Sequence, residues 1–138
     1  MERIPEKTSA GTTAQGQHTI LIVEDEHLML RLLENFFSEH GYHVLVAADG
    51  EQAIEVYRCY KQQIEAVLLD VRVPKMTGGE VFRRMKEENA AVKVVIASGF
   101  LEANIKDQIA FAGVKRFVSK PYILDEVLET VRSLIEEP

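Results

Sequence analysis

Four short apolar segments, each followed by polar residues at its carboxyl end, constrain the fold of this chain more than any other feature. The segments are Ile20–Val23, Ala66–Leu69, Val94–Ala97 and Phe117–Val118. Uninterrupted aliphatic runs of this length are typical of strands that are buried on both faces, as in parallel sheets. The carboxyl ends of parallel strands lie along one edge of the sheet, where ligands bind. The polar residues that follow the four segments are therefore predicted to share one site.

These polar residues supply three carboxylates, a hydroxyl and an ammonium group. They are Glu24, Asp25, Asp70, Ser98 and Lys120. Like charges that are held together repel each other, and a hard cation with oxygen ligands such as Mg²⁺ relieves the repulsion. A lysine at the same edge can neutralise the pocket and hold phosphoryl oxygens as a point charge. The combination predicts a divalent metal beside a phosphoryl group.

Each of these residues also has an ordinary structural explanation when it is taken singly. Carboxylates at strand ends are common as solvated loop residues, and most lysines lie on the surface. Ser98 can instead cap the helix that follows it. Pro121 restricts Lys120 to an extended backbone, which helps to direct the lysine side chain into the site.

The segments between the apolar runs have the three- and four-residue spacing of amphipathic helices. A further strand is predicted at Val44–Ala47, a fourth helix from Leu101 to Gly113, and a brief fifth strand near Arg116–Val118. Five strands that alternate with five helices predict the α/β class. The expected fold is a doubly wound, five-stranded parallel sheet of flavodoxin-like topology, with strand order 2-1-3-4-5.

Composition limits the setting in which such a domain works. Residues 1–18 are small and polar without an apolar period, which predicts a flexible tail or linker before one domain at 19–138. The only cysteine, Cys59, cannot form an internal disulfide, as in a reducing compartment. The chain shows no secretory signal and no membrane-length apolar segment, so a cytoplasmic location without a membrane partner is expected.

The charge balance argues against direct binding of nucleic acid. The net charge is -6, whereas duplex binding depends on clustered lysine and arginine. The most basic segment, Arg83–Lys86, is followed at once by Glu87 and Glu88. This alternation is typical of a solvated helix face.

Four segments resemble the receiver domain of two-component response regulators in both order and spacing. They are Ile22–Glu26, Leu69–Gly78, Ala97–Gly99 and Phe117–Pro121. Each motif alone has modest specificity for this family, but the four together are highly specific. The resemblance extends over about residues 19–136. It implies a phosphoacceptor module that acts as a signalling switch with slow self-dephosphorylation, and not as a metabolic enzyme.

The resemblance also implies a role for each residue at the acidic end of the site. Asp70 matches the phosphoacceptor, which attacks the phosphohistidine of a histidine kinase or phosphotransfer protein. Asp25 matches a direct Mg²⁺ ligand, and Glu24 matches the second acid, which acts through water. The backbone carbonyl of Arg72 matches a further Mg²⁺ ligand.

The remaining matches concern the phosphoryl group and the response to it. Lys120 matches the lysine that holds the phosphoryl group, and the Lys120-Pro121 bond is cis in the family. Ser98 matches the switch hydroxyl, and Phe117 matches the switch aromatic whose ring turns inward as that hydroxyl moves. The implied readout is a population shift on the face of the fourth helix, fifth strand and fifth helix, which controls partner binding.

Two residues depart from the pattern of the family. Glu24 stands where many relatives have aspartate, and the extra methylene still allows contact with the metal through water. Arg72 stands where relatives more often have an apolar or small polar side chain. A guanidinium beside three carboxylates can pair with one of them, so we hypothesise that Arg72 changes the lifetime of the acyl phosphate. Arg72 can equally be an arginine that extends into solvent.

Other functions are compatible with parts of this pattern. A phosphatase of the haloacid dehalogenase type also uses Mg²⁺ and a strand-end aspartate, but it needs a second aspartate two residues later, where this chain has Arg72. A flavin-binding domain needs a phosphate loop after the first strand, where Glu24–Glu26 would repel phosphate. A receiver that binds partners without phosphorylation fits the same fold, and so does a receiver cut from a hybrid histidine kinase.

Overall fold

The computed structural model describes residues 17–99, 113–114 and 116–138, and these contain one five-stranded parallel sheet and a two-stranded hairpin. The sheet strands are β1 (Thr19–Val23), β2 (His43–Ala47), β3 (Ile64–Asp70), β4 (Val94–Ser98) and β5 (Arg116–Ser119). Their spatial order is β2-β1-β3-β4-β5. The predicted fold class, topology and strand order are confirmed.

The described residues form four helices in the segments that connect or follow the strands. They are α1 (His27–Glu39), α2 (Gly50–Tyr60), α3 (Gly78–Glu88) and α4 (Leu124–Glu136). The fourth of the five predicted helices, from Leu101 to Gly113, falls almost wholly on residues 100–112, outside the described residues. None of the described helices is both long and apolar enough to cross a membrane.

The sheet is buried on both faces, as its uninterrupted apolar strands predict. In β1, Leu21 and Val23 belong to one core cluster, and Ile20 and Ile22 belong to the other. Successive side chains of a strand point to opposite faces, so one strand contributes to both clusters. The two close-packed layers hold the strand ends in a fixed arrangement.

The strand register aligns the residues that precede the predicted site. The paired positions at this edge are Val23 with Leu69, Asp70 with Ala97, and Ser98 with Ser119. The carboxyl ends of the four strands therefore lie side by side. This register brings together groups that are far apart in the sequence.

The loop after β3 is held tightly to the body of the domain. It forms a small antiparallel hairpin between Arg72–Val73 and Met76–Thr77. The Gly78 N–H donates to the Val71 carbonyl over 3.0 Å, and a Cβ on Gly78 would lie 2.8 Å from Val71 Cα. Only glycine fits this approach. The backbone that follows Asp70 is therefore fixed, which also fixes the position of Arg72.

Candidate functional site

An open cleft of about 420 Å³ lies at the carboxyl edge of the sheet, where the chain connections from β1 and β3 diverge. This is the topological switch point at which doubly wound sheets bind ligands. The lining residues are Glu24, Asp25, Glu26, Asp70, Arg72, Gly99 and Lys120. The structure thus brings together the predicted acids, the predicted lysine and Arg72.

Three carboxylates converge in this cleft. One oxygen from each of Glu24, Asp25 and Asp70 lies within 4.8 Å of the others. Glu24 and Asp70 are only 1% and 3% exposed, whereas Asp25 is exposed. Two of the three charges are therefore removed from water and need a compensating charge close by.

Lys120 provides a positive charge at the buried side of the cluster. Its Nζ donates to Asp70 Oδ2 over 2.9 Å and lies 3.7 Å from Glu24 Oε1. Burial lowers the pKa of Lys120, but the hydrogen bond and charge of Asp70, together with the charges of Glu24 and Asp25, raise the pKa above its usual value. Lys120 therefore stays protonated at the site.

Both carboxylate oxygens of Asp70 have a donor. Oδ1 accepts from the Arg72 N–H over 3.0 Å, and Oδ2 accepts from Lys120. Hydrogen bonds to an ionised acceptor are the stronger ones in proteins. The Asp70 side chain is therefore oriented by one local donor and by one donor from a strand end 50 residues away.

Both oxygens of Glu24 have a donor as well. Oε2 accepts from the Glu26 N–H over 3.2 Å, and Oε1 accepts from the Tyr122 hydroxyl over 3.2 Å. Burial, followed by the charge of Asp70, raises the pKa of Glu24, and Lys120 and the two donors offset part of that rise. Burial and the charges of Glu24 and Asp70 likewise raise the pKa of the Tyr122 phenol.

The two residues predicted to respond to the phosphoryl group lie on the neighbouring strands β4 and β5. Ser98 is buried at the end of β4, and its backbone carbonyl accepts from the Lys120 N–H over 2.9 Å. Phe117 is partly buried on β5 and packs against one core cluster. The Arg72 side chain is exposed at the rim. The Lys120-Pro121 bond is cis, as the resemblance implies.

Two residues of the site were not predicted from the sequence. The Glu26 N–H and the Tyr122 hydroxyl both hold Glu24. The signal for Tyr122 is its place directly after the Lys120-Pro121 step; strand alternation does not apply there, because the chain bends at residues 120 and 121. No comparable signal exists for Glu26, which acts through its backbone.

Fold and cleft together define a flavodoxin-like α/β domain with an acidic ligand site at its switch point. The family model of the response regulator receiver domain matches residues 20–132. The chain therefore belongs to the receiver domain family of two-component systems. This membership sets aside a haloacid-dehalogenase-type phosphatase and a flavin-binding domain. Receiver domains are signalling switches that interact with histidine kinases or phosphotransfer proteins.

Similar proteins include both short regulators and segments of larger proteins. The chain is 31% identical to sporulation initiation phosphotransferase F of Bacillus subtilis, over 84% of this chain and 92% of the relative. It is 27% identical to the sensor kinase CckA of Brucella abortus, over 95% of this chain but 14% of the relative. A chain of the CheX–CheY–BeF3–Mg²⁺ complex from Borrelia burgdorferi superimposes with a TM-score of 0.80 at 28% identity, covering 87% of this chain and 90% of that chain.

The donor set of the cleft fits the metal that the family binds. Receiver domains hold Mg²⁺ in an acidic pocket, and Mg²⁺ prefers carboxylate, carbonyl and water oxygens. Glu24, Asp25 and Asp70 present three such oxygens within 4.8 Å of one another, and two of these side chains are buried. Like charges in this arrangement are costly without a cation. Arg72 also lines the cleft, and its backbone carbonyl as an additional ligand stays a prediction from the resemblance.

Proposed function

We propose that this chain is a phosphoacceptor that takes a phosphoryl group on Asp70 from the phosphohistidine of a histidine kinase or phosphotransfer protein. The observation that carries the proposal is the environment of Asp70. Its buried carboxylate is oriented by Arg72 N–H and Lys120 and lies within the acidic cluster. In this proposal Asp25, Asp70 and the Arg72 carbonyl bind Mg²⁺ directly, and Glu24 acts through water.

The proposed reaction is an in-line displacement at phosphorus. A carboxylate oxygen of Asp70 forms a bond to the phosphorus atom, the phosphorus–nitrogen bond of the phosphohistidine breaks, and the electron pair leaves with the imidazole nitrogen. Catalysis of such transfers rests on positioning and charge neutralisation. Bound Mg²⁺ supplies charge neutralisation at the phosphoryl oxygens. Lys120 leaves Asp70 Oδ2 and donates to a phosphoryl oxygen.

The proposed readout begins at Ser98 and ends on a partner-binding surface. A phosphoryl group on Asp70 favours the conformer in which the Ser98 hydroxyl donates to it. The Phe117 ring then turns into the space beside β4. The surface that changes is the face of the helix predicted from Leu101 to Gly113, β5 and α4. Slow self-dephosphorylation, with water entering beside Gly99 at the cleft, resets the switch.

We also propose that the chain consists of a tail or linker at residues 1–18 and a receiver domain at residues 19–138. A short regulator and a receiver within a hybrid kinase would use the same site, since the similar proteins include both kinds. The boundaries of the complete gene distinguish these two settings.

Incubation with acetyl phosphate tests the proposed function. With Mg²⁺, the intact mass is expected to increase by one phosphoryl group, and reductive trapping with peptide mapping is expected to place the label on Asp70. Addition of EDTA is expected to remove most of the labelling, because the acidic cluster then repels the donor phosphate. Labelling elsewhere, or none at Asp70 with Mg²⁺ present, would contradict the proposal.

Replacement of Arg72 is expected to shorten the lifetime of the acyl phosphate. An exposed guanidinium at the rim of the cleft can pair with a phosphoryl oxygen and obstruct water. Exposed charge pairs contribute about 0.2–1 kcal/mol, so Arg72→Met or Arg72→Asn should accelerate dephosphorylation by about 1.4- to 5-fold. Decay of the phosphorylated protein after removal of the donor measures this rate.

Arg83→Met is a matched control for Arg72→Met. Arg83 is also exposed, but it lies on α3 and pairs with Glu80 and Glu87. The control should decay at the wild-type rate. An Arg72 variant that decays no faster than this control would disprove the assigned role of Arg72.

A further inference from the structure

Tyr122, three residues after β5, contacts the acidic cluster through its hydroxyl group. Its hydroxyl donates to Glu24 Oε1 over 3.2 Å, across 98 residues of sequence. The Tyr122 ring also lies against the Lys120 ammonium group, with Nζ 5.6 Å from the ring centroid. Cations are attracted to aromatic faces at this distance. Tyr122 therefore contacts both a predicted metal-binding acid and the predicted phosphoryl-binding lysine.

From this geometry we infer that Tyr122 is a positioning residue that holds the Glu24 carboxylate in the orientation required for Mg²⁺ binding. The inference rests on the proposed function, because it assigns Tyr122 a part in the same site. Tyr122 itself is not proposed to bind the metal. It acts through Glu24.

The surroundings of Glu24 show why an outside donor is needed. The side chain is 1% exposed, so water cannot freely solvate its carboxylate. The Glu26 N–H holds only Oε2, while Lys120 Nζ is 3.7 Å from Oε1 and is engaged with Asp70. The Tyr122 hydroxyl is the donor that holds Oε1 within hydrogen-bond distance in the described part of the chain.

The length of Glu24 matches the position of the phenol. Shortening residue 24 to aspartate withdraws the carboxylate by one methylene, which moves its oxygens away from a hydroxyl that is already 3.2 Å from Glu24 Oε1. An aspartate at position 24 would therefore gain little from Tyr122. The two residues are expected to work as a pair, and removal of either should cancel the benefit of the other.

The expected effect is on metal affinity. Hydrogen bonds to metal-binding carboxylates orient them, and their loss commonly weakens metal binding by about 10- to 100-fold. Tyr122→Phe keeps the ring beside Lys120 and removes only the hydroxyl. Because Glu24 acts through water in the proposed site, we expect the low end of this range, about tenfold weaker Mg²⁺ binding.

A Mg²⁺ titration of the phosphate-free protein measures this effect. Changes in the amide NMR resonances of the strand-end residues report the dissociation constant without any enzymatic assay. Tyr57→Phe is the matched control, because the Tyr57 hydroxyl is a buried hydrogen-bond partner of Asn89, remote from the cleft. Both variants lose one partly buried hydroxyl contact, but only Tyr122→Phe should weaken Mg²⁺ binding.

A double-mutant cycle tests whether Tyr122 acts through Glu24. Contacting residues that act together give non-additive effects, so Tyr122→Phe should change Mg²⁺ affinity by less than twofold in a Glu24→Asp background. Unchanged or tighter Mg²⁺ binding by Tyr122→Phe alone would overturn the inference. A tenfold loss in the Glu24→Asp background as well would overturn the route through Glu24.

The same titration separates this inference from the proposed function. If the wild-type protein binds no Mg²⁺ and takes no label on Asp70, the proposed function fails and the inference fails with it. If the wild type binds Mg²⁺ and is labelled, but Tyr122→Phe matches Tyr57→Phe, only the role of Tyr122 fails.

Discussion

Asp70→Asn is expected to abolish phosphorylation of the chain while leaving it folded. The amide nitrogen of asparagine is not nucleophilic, and its oxygen lacks the negative charge that attacks phosphorus. The side chain keeps nearly the same shape, so packing at the end of β3 is preserved. The expected outcome is complete loss of the phosphoryl mass increment with acetyl phosphate and Mg²⁺.

Asp70→Asn changes two electrostatic interactions, the repulsion between residue 70 and Glu24 and the hydrogen bond from Lys120. Removal of one charge relieves the repulsion with Glu24, but the hydrogen bond that Lys120 donates to Oδ2 is weakened or lost. These effects oppose each other, so the free energy of unfolding without Mg²⁺ should change by no more than about 1 kcal/mol. Stabilisation by added Mg²⁺ should decrease, since one carboxylate ligand is gone.

Intact mass and thermal denaturation with and without Mg²⁺ measure both effects. A variant at the exposed acid Glu51 on α2, Glu51→Gln, provides a control that also loses one carboxylate. It should be labelled like the wild type. Full labelling of a folded Asp70→Asn protein would show that the phosphoacceptor is another residue.

Lys120→Met is expected to slow phosphorylation by about 100-fold. The Lys120 ammonium group now donates to Asp70, and it is expected to donate to the phosphoryl group once that group is attached. Removal of one preorganised electrostatic donor commonly lowers rates by about 10²–10³. Methionine keeps the unbranched stem and removes the charge. The rate of labelling by acetyl phosphate at fixed Mg²⁺ measures the loss.

The same substitution should weaken the fold when the cation is absent. Asp70 and Glu24 are almost fully buried, and the Lys120 ammonium group lies within 4 Å of both, at 2.9 Å from Asp70 Oδ2 and 3.7 Å from Glu24 Oε1. Leaving a buried acceptor without its partner costs about 1–3 kcal/mol. Because Mg²⁺ supplies charge to the same carboxylates, it should stabilise Lys120→Met by more than it stabilises the wild type.

Lys93→Met is a matched control at the opposite edge of the sheet. Lys93 Nζ donates to the carbonyls of Ile135 and Glu137 near the end of α4. This variant should lose stability without any change in the labelling rate. If Lys120→Met is labelled as fast as Lys93→Met, Lys120 does not assist the transfer.

Much of the fold could be predicted from the sequence because its signals are local. The apolar run of β1 indicates burial on both faces, and the structure divides Ile20 and Ile22 from Leu21 and Val23 accordingly. Helical spacing indicates the core-facing side of α1 only in part, because Leu33 and Phe37 are buried whereas Leu28 and Leu32, which have the same spacing, are exposed. Glu24 and Asp25 can lie beside Asp70 only if β1 and β3 are neighbours, and the predicted strand order meets this condition.

Contacts through backbone atoms and across strand ends could not be predicted in this way. The hairpin between Arg72–Val73 and Met76–Thr77 depends on the close approach of Gly78 to Val71, which sequence patterns do not encode. The bond from Tyr122 to Glu24 depends on where β5 ends relative to β1. These strands are not neighbours in the sheet, so no register links the two residues.

The sequence by itself determined the fold class and which chemical groups stand at the strand ends, because apolar periodicity and the residues that interrupt it are properties of short segments. Only the tertiary structure decided how these groups pair. Lys120 bonds to Asp70, Tyr122 holds Glu24, and Asp25 stays exposed. The physical reason is that burial and distance, which set the strength of interactions between charges, arise only when the strands pack side by side.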